Sequence, residues 1–406
     1  MRVAFLCSNF PPEIHAGTEM VVVALGRELA RRGVEVTAVT TSEHVHDGTD
    51  VRREAYAGIE VLRVFKKLDE WDQNGLDRPR LVAIVEDLLR QARPDLLHVH
   101  SFSGLGAGHG QRARAAGVPV VMTFHDVWVT CPRYFRVPPD GITCPSGSGR
   151  EPCVPCINLA LGLPDPDVVR RALYGRDRSV RAEVEAADVL TAPSLTAARM
   201  VRTHLPTDRD IAVVPHGLLA PLPAAERAPA PAPGERLRVG TFGNLVEPKG
   251  VLELVRAVAG ADCELHLGGS FLDLEFARQV REEAQQRGVE LVYHGPYGPD
   301  VPHPALGLHL AVFPSKCQET YGLVVDEALA RGVPAVVSDR GALHERGAGG
   351  GVEVTALPSL GRVVHDLVAD RDRLARLRAA VPAALPTIAA AADRYLELYD
   401  DAKAAR

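Results

Sequence analysis

Short runs of apolar, mostly β-branched residues alternate with amphipathic stretches along most of the chain. At 18–32 and 81–93, apolar residues recur at intervals of three and four, which is the spacing of one helix face. The apolar runs have the length and composition of buried strands. They fall at 2–8, 34–41, 96–100, 118–123, 189–193 and 211–215, and then at 237–242, 264–267, 290–293, 310–313 and 334–338. This alternation predicts stacked βαβ units around parallel sheets.

A proline-rich segment interrupts the alternation near the middle of the chain. Residues 218–236 contain five prolines, which disfavour helix interiors and central strands, so a semi-rigid linker is predicted there. It separates a domain at 1–217 from a domain at 237–385. A final amphipathic pattern, 386–406, predicts a helix that packs back on the first domain. The expected fold class is α/β, with two Rossmann-like, doubly wound domains facing a central cleft, where loops at strand ends bind ligands.

Length and charge narrow the classes of function. A chain of 406 residues, 46% hydrophobic and 24% charged, suits a folded protein of two domains. Its net charge of −6 argues against nucleic-acid binding, which needs a basic face. The apolar run before Pro11 is too short for a signal or membrane segment, so a cytoplasmic location is expected. In the basic stretch 168–185, interspersed acidic residues favour a solvated helix face over contact with an anionic membrane. No feature predicts an oligomeric state.

The segment 319–327, ETYGLVVDE, carries two carboxylates eight positions apart, just after a predicted strand. The pattern predicts a helix at 321–331 with Thr320 as its N-cap. The first amides of that helix would attract an anion such as a phosphate, because they lack helical partners and lie at the positive end of the dipole. Glu319 and Glu327 would flank the phosphate and accept hydrogen bonds from sugar hydroxyls. The alternative is an ordinary helix start with a solvated Glu327.

The same segment resembles the Glu-x7-Glu signature of glycosyltransferase family 4, whose members are retaining enzymes with the two-domain GT-B fold. The resemblance implies that Glu319 contacts the transferred sugar and that Glu327 binds the ribose of the nucleotide. It also implies that the backbone of Thr320, Tyr321 and Gly322 holds the pyrophosphate. The expected donor substrate is a nucleotide-diphosphate sugar, UDP- or GDP-linked.

Further residues match the donor site of the family. The loop GTFGNLVEPKG reaches Lys249, one of five lysines in the chain, and the resemblance implies that this lysine neutralises the donor phosphates. Gly243 is followed by Asn244 where the family usually has an arginine, so one fixed positive charge is missing. The resemblance also implies that Gly17 faces the phosphates at the start of a helix. A surface lysine and a structural turn glycine are the alternatives.

His125 and Asp126 follow the predicted strand at 118–123 and match the His-Asp pair of the family. The resemblance implies that His125 contacts the donor sugar and that Asp126 is structural. Without the resemblance, a lone histidine is more often a packing residue. That interpretation is kept for the histidines that end other strands, among which His100 and His216 are candidates to line the cleft.

The mechanism implied by the resemblance needs few protein groups. It is a front-face substitution in which the departing phosphate takes the acceptor's proton and a short-lived oxocarbenium ion forms, so no general base is assigned. Asp-x-Asp pairs occur at 165/167, 208/210 and 370/372, away from strand ends, and no catalytic metal is expected. The acceptor is a hydroxyl or other nucleophile that the sequence does not identify. A phosphorylase or hydrolase on the same scaffold and a non-catalytic nucleotide-binding module are the alternatives.

Four of the seven cysteines lie in a loop rich in proline and glycine at 131–156. They are Cys131, Cys144, Cys153 and Cys156. Their number and the Cys-x2-Cys spacing predict a structural zinc site that would hold the loop together. Free thiols, an iron–sulfur cluster and a redox disulfide are the alternatives. The other three cysteines are expected to be small buried hydrophobic residues: Cys7, Cys263 and Cys317.

Overall fold

The chain forms two compact units, each built around a sheet of its own. The first contains Met1–Ala220 together with Pro386–Arg406, and the second contains Pro221–Leu385. The structure is a computed structural model. It describes residues 1–44, 46–66, 76–138, 144, 149–162, 165–205, 207–221, 226–298 and 301–405.

The described part of the first unit holds an eight-stranded sheet. Its strands are β1 (Arg2–Leu6), β2 (Glu35–Thr41), β3 (Asp50–Tyr56), β4 (Ile59–Phe65), β5 (Leu96–Val99), β6 (Val120–Thr123), β7 (Val189–Ala192) and β8 (Ile211–Val213). They are ordered β3-β4-β2-β1-β5-β6-β7-β8, with β3 antiparallel to β4 and the other neighbours parallel. Four of the five residues of β1 are buried, as expected for a parallel strand covered on both faces.

The described helices of the first unit come from the first half of the chain and from its last residues. They are α1 (Gly17–Arg31), α2 (Pro79–Ala92), α3 (His109–Ala115), α4 (Cys153–Leu161), α5 (Pro166–Ala186), α6 (Leu195–His204) and α12 (Ile388–Ala404). Across the ranges that the structure describes, no helix combines the length and the apolar character needed to span a membrane.

The second unit holds a sheet whose strands all run parallel. They are β9 (Leu237–Leu245), β10 (Cys263–Phe271), β11 (Leu291–Gly295), β12 (Leu310–Phe313), β13 (Ala335–Ser338) and β14 (Val352–Thr355), ordered β11-β10-β9-β12-β13-β14. The helices are α7 (Val251–Val258), α8 (Leu274–Gln286), α9 (Leu323–Ala330), α10 (Leu360–Ala369) and α11 (Arg371–Ala379). Short 3-10 helices lie at Glu247–Lys249, Pro304–Gly307, Gly341–Gly349 and Leu357–Ser359.

Two apolar clusters hold the second unit together. One joins β9 and β10 to α7, α8 and α10, and includes Leu254 and Leu367. The other joins β12 and β13 to α9, and includes Phe313 and Leu329. Burying a side chain of this size contributes about 1.5–3 kcal/mol. The two clusters therefore fix where the loops after β9 and β12 begin.

The eleven strands predicted from apolar runs all lie at observed strands. The apolar pattern does not predict β3, β4 and β14. β3 is largely exposed and has charged residues at four of its seven positions, so it has no apolar run. In β4 the apolar residues are interrupted by Glu60 and Arg63, and β14 has four residues only.

The described part of the proline-rich segment belongs to both units. Leu218 pairs with Thr387 in the first unit. Ala228 is buried in the second unit, where its amide donates to the carbonyl oxygen of Arg331 over 2.9 Å. Backbone hydrogen bonding therefore anchors residue 218 in the first unit and residue 228 in the second.

α12 is an integral part of the first unit. It packs against α1, β6 and β7. Tyr395 and Tyr399 of this helix are both buried. The Tyr399 hydroxyl lies 2.7 Å from His98 Nδ1, and the Tyr395 hydroxyl lies 3.0 Å from Thr123 Oγ1. Hydrogen bonds as well as apolar contacts therefore join the end of the chain to the first sheet.

Candidate functional site

Lys249 and Glu319 form a direct ion pair in the second unit. Lys249 ends the 3-10 helix that follows β9, and Glu319 lies in the loop that follows β12. β9 and β12 are neighbours in the sheet, so the loops at their carboxyl ends meet. Lys249 Nζ donates to Glu319 Oε1 over 2.6 Å. The sequence predicts that both residues belong to one site, but it does not predict this contact.

Two further side chains hold Glu319. The Ser315 hydroxyl donates to Glu319 Oε1 over 2.8 Å, and the Cys317 thiol does so over 3.5 Å. Burial raises the pKa of Glu319, but the charge of Lys249 and these hydrogen bonds outweigh burial and leave the pKa below its ordinary value. Glu319 is therefore ionised at neutral pH and acts as a hydrogen-bond acceptor. Cys317 is buried as the sequence predicts, but it is also a polar contact of the site.

Lys249 remains cationic despite its position. Burial lowers its pKa, but the attraction of Glu319 is larger, and the resulting pKa lies above the ordinary value. About a third of the side chain, 36%, is exposed. The neighbouring cation Lys316 is paired with Glu247 and lies 3.5 Å from Glu253. Lys249 is thus a fixed positive charge that an anion can reach.

The helix after this loop begins later than the sequence pattern predicts. α9 starts at Leu323 with Gly322 as its N-cap, so the predicted helix start at residue 321 and the predicted N-cap Thr320 are both wrong. The reason is that Gly322 has a φ of 88°, a left-handed conformation that cannot continue a right-handed helix. The helix amides without helical partners therefore begin at Leu323.

The Tyr321 side chain is buried. It is 5% exposed, and its hydroxyl donates to Asp326 Oδ2 over 2.7 Å. Arg346 pairs with the same carboxylate, and its guanidinium lies 4.9 Å from the centroid of the Tyr321 ring. These three side chains fix the segment between Glu319 and α9. The ring and the hydroxyl of Tyr321 are therefore held within the second unit.

The end of β9 lies beside the first turn of α9. Gly243 has a φ of 110°, and an added Cβ would lie 3.3 Å from Val324 Cγ1. A side chain there would be strained and crowded, so the position requires glycine. Asn244 follows and is exposed, paired with Ser270 in the sheet. The structure therefore brings Gly243 and α9 together.

Glu327 is the fifth residue of α9, one turn from its start. Its side chain is 30% exposed, and Oε2 lies 3.5 Å from His303 Nε2. Tyr297 is close enough that, in addition to burial, the charge of Glu327 raises the pKa of its phenol. The sequence pattern singles out neither His303 nor Tyr297, because both lie in the irregular segment after β11.

In the first unit, His125 belongs to a chain of buried histidines. His100 Nδ1 lies 2.8 Å from His125 Nε2, and His125 Nδ1 lies 3.3 Å from His216 Nε2. The ring centroids of His98 and His100 are 3.9 Å apart. Burial lowers the pKa of all four, to about 3 for His216, so all four are neutral at neutral pH. The structure thus joins His100 and His216 to His125.

A cavity lies beside His100 and His125, at the carboxyl ends of β5 and β6. Its lining includes Phe124, Asp126 and Trp128. Asp126 accepts a hydrogen bond from the Trp128 amide over 2.8 Å, and burial raises its pKa. The contact gives Asp126 a structural role in shaping the loop after β6.

Gly17 is the exposed first residue of α1 in this same unit. Two positions later, Glu19 is buried in the first turn of the helix. Burial raises the pKa of Glu19 to about 7, and the nearby charge of Asp126 contributes to the rise. The sequence gives no sign of this, because an acidic residue in a first helical turn is common and usually solvated.

The four cysteines of the predicted zinc site are free thiols with partial exposure. Burial raises the pKa of the Cys144 thiol. Arg136 donates to Cys144 Sγ over 3.5 Å. Among the described residues, no three His, Cys, Asp or Glu side chains are grouped to hold a metal ion. Residues 139–143 and 145–148 of the loop lie outside the described ranges. The structure therefore gives the zinc prediction no support.

Helix capping explains two of the three Asp-x-Asp pairs. Asp165 caps α5 and Asp370 caps α11, where each side chain accepts a hydrogen bond from a backbone amide. In the pair at 208/210, Asp210 is fully exposed and lies 3.2 Å from Arg202. The pairs at 165/167 and 370/372 therefore serve as helix caps, and the pair at 208/210 lies at the surface.

Comparison with known proteins finds two family matches that together span most of the chain. The family described as Glycosyltransferase Family 4 matches residues 15–218, half of the chain, and the family described as Glycosyl transferases group 1 matches residues 224–346. A protein of Mycolicibacterium smegmatis (strain ATCC 700084 / mc(2)155), named GDP-mannose-dependent alpha-mannosyltransferase, is 26% identical over 355 residues. That alignment covers 84% of this chain and 80% of the relative.

Solved structures of similar fold include sucrose-phosphate synthase from Thermosynechococcus elongatus. It is 18% identical, with a TM-score of 0.68 and coverage of 100% of both chains. Anabaena HepE in complex with UDP-glucose is 16% identical, with a TM-score of 0.64 and coverage of 98% of this chain and 99% of its own. At these identities the likeness shows the fold, which is the two-domain α/β GT-B fold predicted from the sequence.

Proposed function

Because the chain belongs to glycosyltransferase family 4 and is a glycosyltransferase, we propose that it moves a sugar from a nucleotide-diphosphate sugar to a nucleophile of an acceptor. The observation that carries this proposal is the ion pair between Lys249 and Glu319. A nucleotide sugar needs a cation at its diphosphate and a hydrogen-bond acceptor at its hydroxyls. The ion pair supplies both groups at the carboxyl ends of β9 and β12.

Each group of the second unit has a distinct task in this proposal. Lys249 neutralises the diphosphate through its exposed part. The amides that open α9 at Leu323 donate to the same phosphates, and the helix dipole favours their charge. Glu319 accepts hydrogen bonds from the transferred sugar, and Glu327 accepts them from the ribose. Since Asn244 carries no charge, Lys249 and α9 are the main positive centres for the leaving group.

The transfer is proposed to retain the configuration of the anomeric carbon. The acceptor attacks from the face that the diphosphate leaves, and its proton passes to a departing phosphate oxygen, so no side chain needs to act as a base. Catalysis then consists of positioning and of stabilising the charge of the leaving diphosphate. His125 is proposed to contact the donor sugar as a neutral imidazole. Because its two ring nitrogens face His100 and His216, a hydrogen bond to the sugar would replace one of these contacts. Lys249 and α9 together support transfer without a catalytic divalent cation.

The nucleotide is proposed to be GDP or UDP. The M. smegmatis relative is named for GDP-mannose, and the HepE structure contains UDP-glucose. A panel of UDP-, GDP-, ADP- and TDP-sugars separates these donors, because at equal concentration the ligand that binds more tightly raises the melting temperature more.

The proposal is tested with Glu319→Gln, which removes the charge of the side chain and keeps its size. With the donor that stabilises the wild type most, kcat/KM for release of nucleoside diphosphate is expected to fall about a hundredfold or more. The reason is that glutamine does not form the charged hydrogen bonds to Lys249 and to the sugar. Release is measured enzymatically, with water or an added alcohol as acceptor, and the anomeric configuration of the product is read by proton NMR.

Glu247→Gln is the matched control, since Glu247 is an acidic residue of the same region that pairs with Lys316 at the surface. It is expected to leave kcat/KM within about twofold. Full activity of Glu319→Gln with an unchanged melting temperature contradicts the proposed role of Glu319. Inversion at the anomeric carbon contradicts the mechanism. A sugar 1-phosphate formed from inorganic phosphate identifies a phosphorylase instead.

A further inference from the structure

Two buried polar atoms face each other without bonding in the second unit. His303 Nε2 and Glu327 Oε2 are both buried and, within the described residues, neither has a hydrogen-bond partner. They lie 3.5 Å apart, which is too long for a normal hydrogen bond. Unpaired buried polar atoms are costly, so a pair of them in one place indicates a site that is completed by a ligand.

The backbone determines which nitrogen of His303 carries the proton. The Ala305 amide donates to His303 Nδ1 over 3.2 Å, where the histidine caps the 3-10 helix Pro304–Gly307. Nδ1 must therefore be the unprotonated nitrogen, and in the neutral ring the proton lies on Nε2. The free group of His303 is thus an N–H donor directed at the carboxylate of Glu327.

Aromatic rings enclose this donor. The ring centroids of Phe242 and Tyr297 lie 4.8 Å and 4.9 Å from that of His303, at interplanar angles of 82° and 68°. His303 is 12% exposed as a side chain, whereas Glu327 is 30% exposed. His303 therefore lies on the buried side of the Glu327 carboxylate. A ligand reaches Glu327 from the solvent side, through the oxygen that is not buried.

We infer that His303 is a positioning residue for the nucleotide ribose. Closing the 3.5 Å gap lets Nε2–H donate to Glu327 Oε2, which fixes the carboxylate so that its other oxygen accepts from the vicinal hydroxyls of the ribose. This inference rests on the proposed function, in which Glu327 binds the ribose. It adds a source of discrimination, because a carboxylate held in one orientation distinguishes a ribose diol from a sugar that lacks it.

Two substitutions separate the two nitrogens of the histidine. In His303→Asn, the side-chain oxygen still caps the 3-10 helix, as asparagine commonly does, but the donor near Glu327 is lost. In His303→Gln, the amide group reaches the place of Nε2, but the cap is lost. The ligand is the most tightly bound of UDP, GDP and ADP, compared with its 2′,3′-dideoxy analogue by titration calorimetry.

The wild type is expected to bind the ribonucleotide about 10- to 100-fold more tightly than the dideoxy analogue. His303→Asn is expected to weaken ribonucleotide binding about tenfold and to leave the affinity for the analogue unchanged, so the ratio shrinks. His303→Gln is expected to keep the ratio within about threefold and to melt at a lower temperature.

Three outcomes overturn the inference. If His303→Asn keeps the wild-type ratio, His303 and Glu327 form a structural contact only. If the wild type itself does not distinguish the analogue, no ribose diol is recognised, and this result does not depend on any variant folding. If no nucleoside diphosphate binds the wild type, the inference falls together with the proposed function. The first two outcomes leave the proposed glycosyl transfer intact.

Discussion

At the residue scale, the four neutral histidines His98, His100, His125 and His216 make the stability of the first unit depend on pH. Their folded pKa values lie below the ordinary value near 6.5, so the unfolded chain binds more protons as the pH falls below about 6.5. Stability is therefore lost on acidification. Glu19 acts in the opposite direction, because its raised pKa of about 7 favours the folded state at low pH. The raised pKa values of Asp126 and Glu183 act in the same direction, so three carboxyl groups oppose the four histidines.

We expect the free energy of unfolding to fall as the pH is lowered from 7 to 5, by up to about 1.4 kcal/mol per pH unit for each histidine. Urea denaturation at several pH values measures this. His100→Gln removes one of the four titrating groups, so its stability should depend less steeply on pH. A stability that rises between pH 7 and pH 5 would show that the raised carboxyl pKa values dominate instead.

Individual residues of the site differ in how far the sequence predicts them. The spacing of Glu319 and Glu327 after a strand is visible in the sequence. Lys249 is also noticeable there, because lysine is rare among the cationic residues of this chain. The contacts of Ser315 and Cys317 with Glu319 are not visible. They depend on how the loop after β12 folds back on itself, which no periodicity encodes.

At the element scale, a buried carboxylate of α5 takes the place of an N-terminal cap for α3. Both oxygens of Glu183 accept from backbone amides, one from Gly108 and the other from Gly110 over 2.8 Å. Glu183 is 1% exposed. The N-cap residue Gly108 has no side chain to do this work, so the helix depends on a neighbour far along the chain.

Glu183→Gln is expected to lower the free energy of unfolding by about 2 kcal/mol, because one buried amide loses its charged acceptor. Urea denaturation measures the loss, and hydrogen exchange at Gly108 and Gly110 locates it. Glu185→Gln, an exposed position on the same helix, serves as the control and should change stability by no more than about 0.5 kcal/mol. Equal stabilities of the two variants would count against capping by Glu183.

The start of α9 shows why elements are predicted more reliably than their ends. The apolar pattern and the following strand predict the helix, but its first residue depends on the backbone conformation of Gly322. A glycine is equally compatible with a helix and with a left-handed turn in a sequence. Packing of Tyr321 against Asp326 and Arg346 selects the turn, and these contacts become visible only in three dimensions.

At the scale of the whole molecule, the last helix stabilises the sheet formed by the first half of the chain. Tyr399 is fully buried and its hydroxyl reaches His98. Tyr399→Ala is expected to lower the free energy of unfolding by about 3–5 kcal/mol, since it leaves a cavity and removes a buried hydrogen bond. Chemical denaturation followed by circular dichroism measures the change.

Tyr174→Ala is the control for that experiment, because Tyr174 is 39% exposed on α5. It is expected to change the free energy of unfolding by less than about 1 kcal/mol. A Tyr399→Ala variant that is as stable as this control would mean that α12 contributes little to the first unit.

The global architecture follows from repetition rather than from any one motif. Eleven apolar runs and one proline-rich interruption predict two α/β domains, each built on a sheet of parallel strands. The comparisons confirm the GT-B fold. The apolar pattern does not predict the hairpin of β3 and β4, because the exposed strand β3 carries mostly polar residues. Its pairing with β2 is a tertiary contact that extends the sheet at one edge.

The return of α12 to the first sheet has a consequence for biosynthesis. When residue 220 has been translated, every described strand of that sheet has been synthesised, but α12, which packs against the sheet, has not. At ordinary translation speeds the missing helix emerges roughly ten to forty seconds later. During that interval, while the second unit is being synthesised, His98 and Thr123 lack their hydrogen bonds to Tyr399 and Tyr395 of α12. Translation of residues 386–406 is therefore the step that completes the first unit.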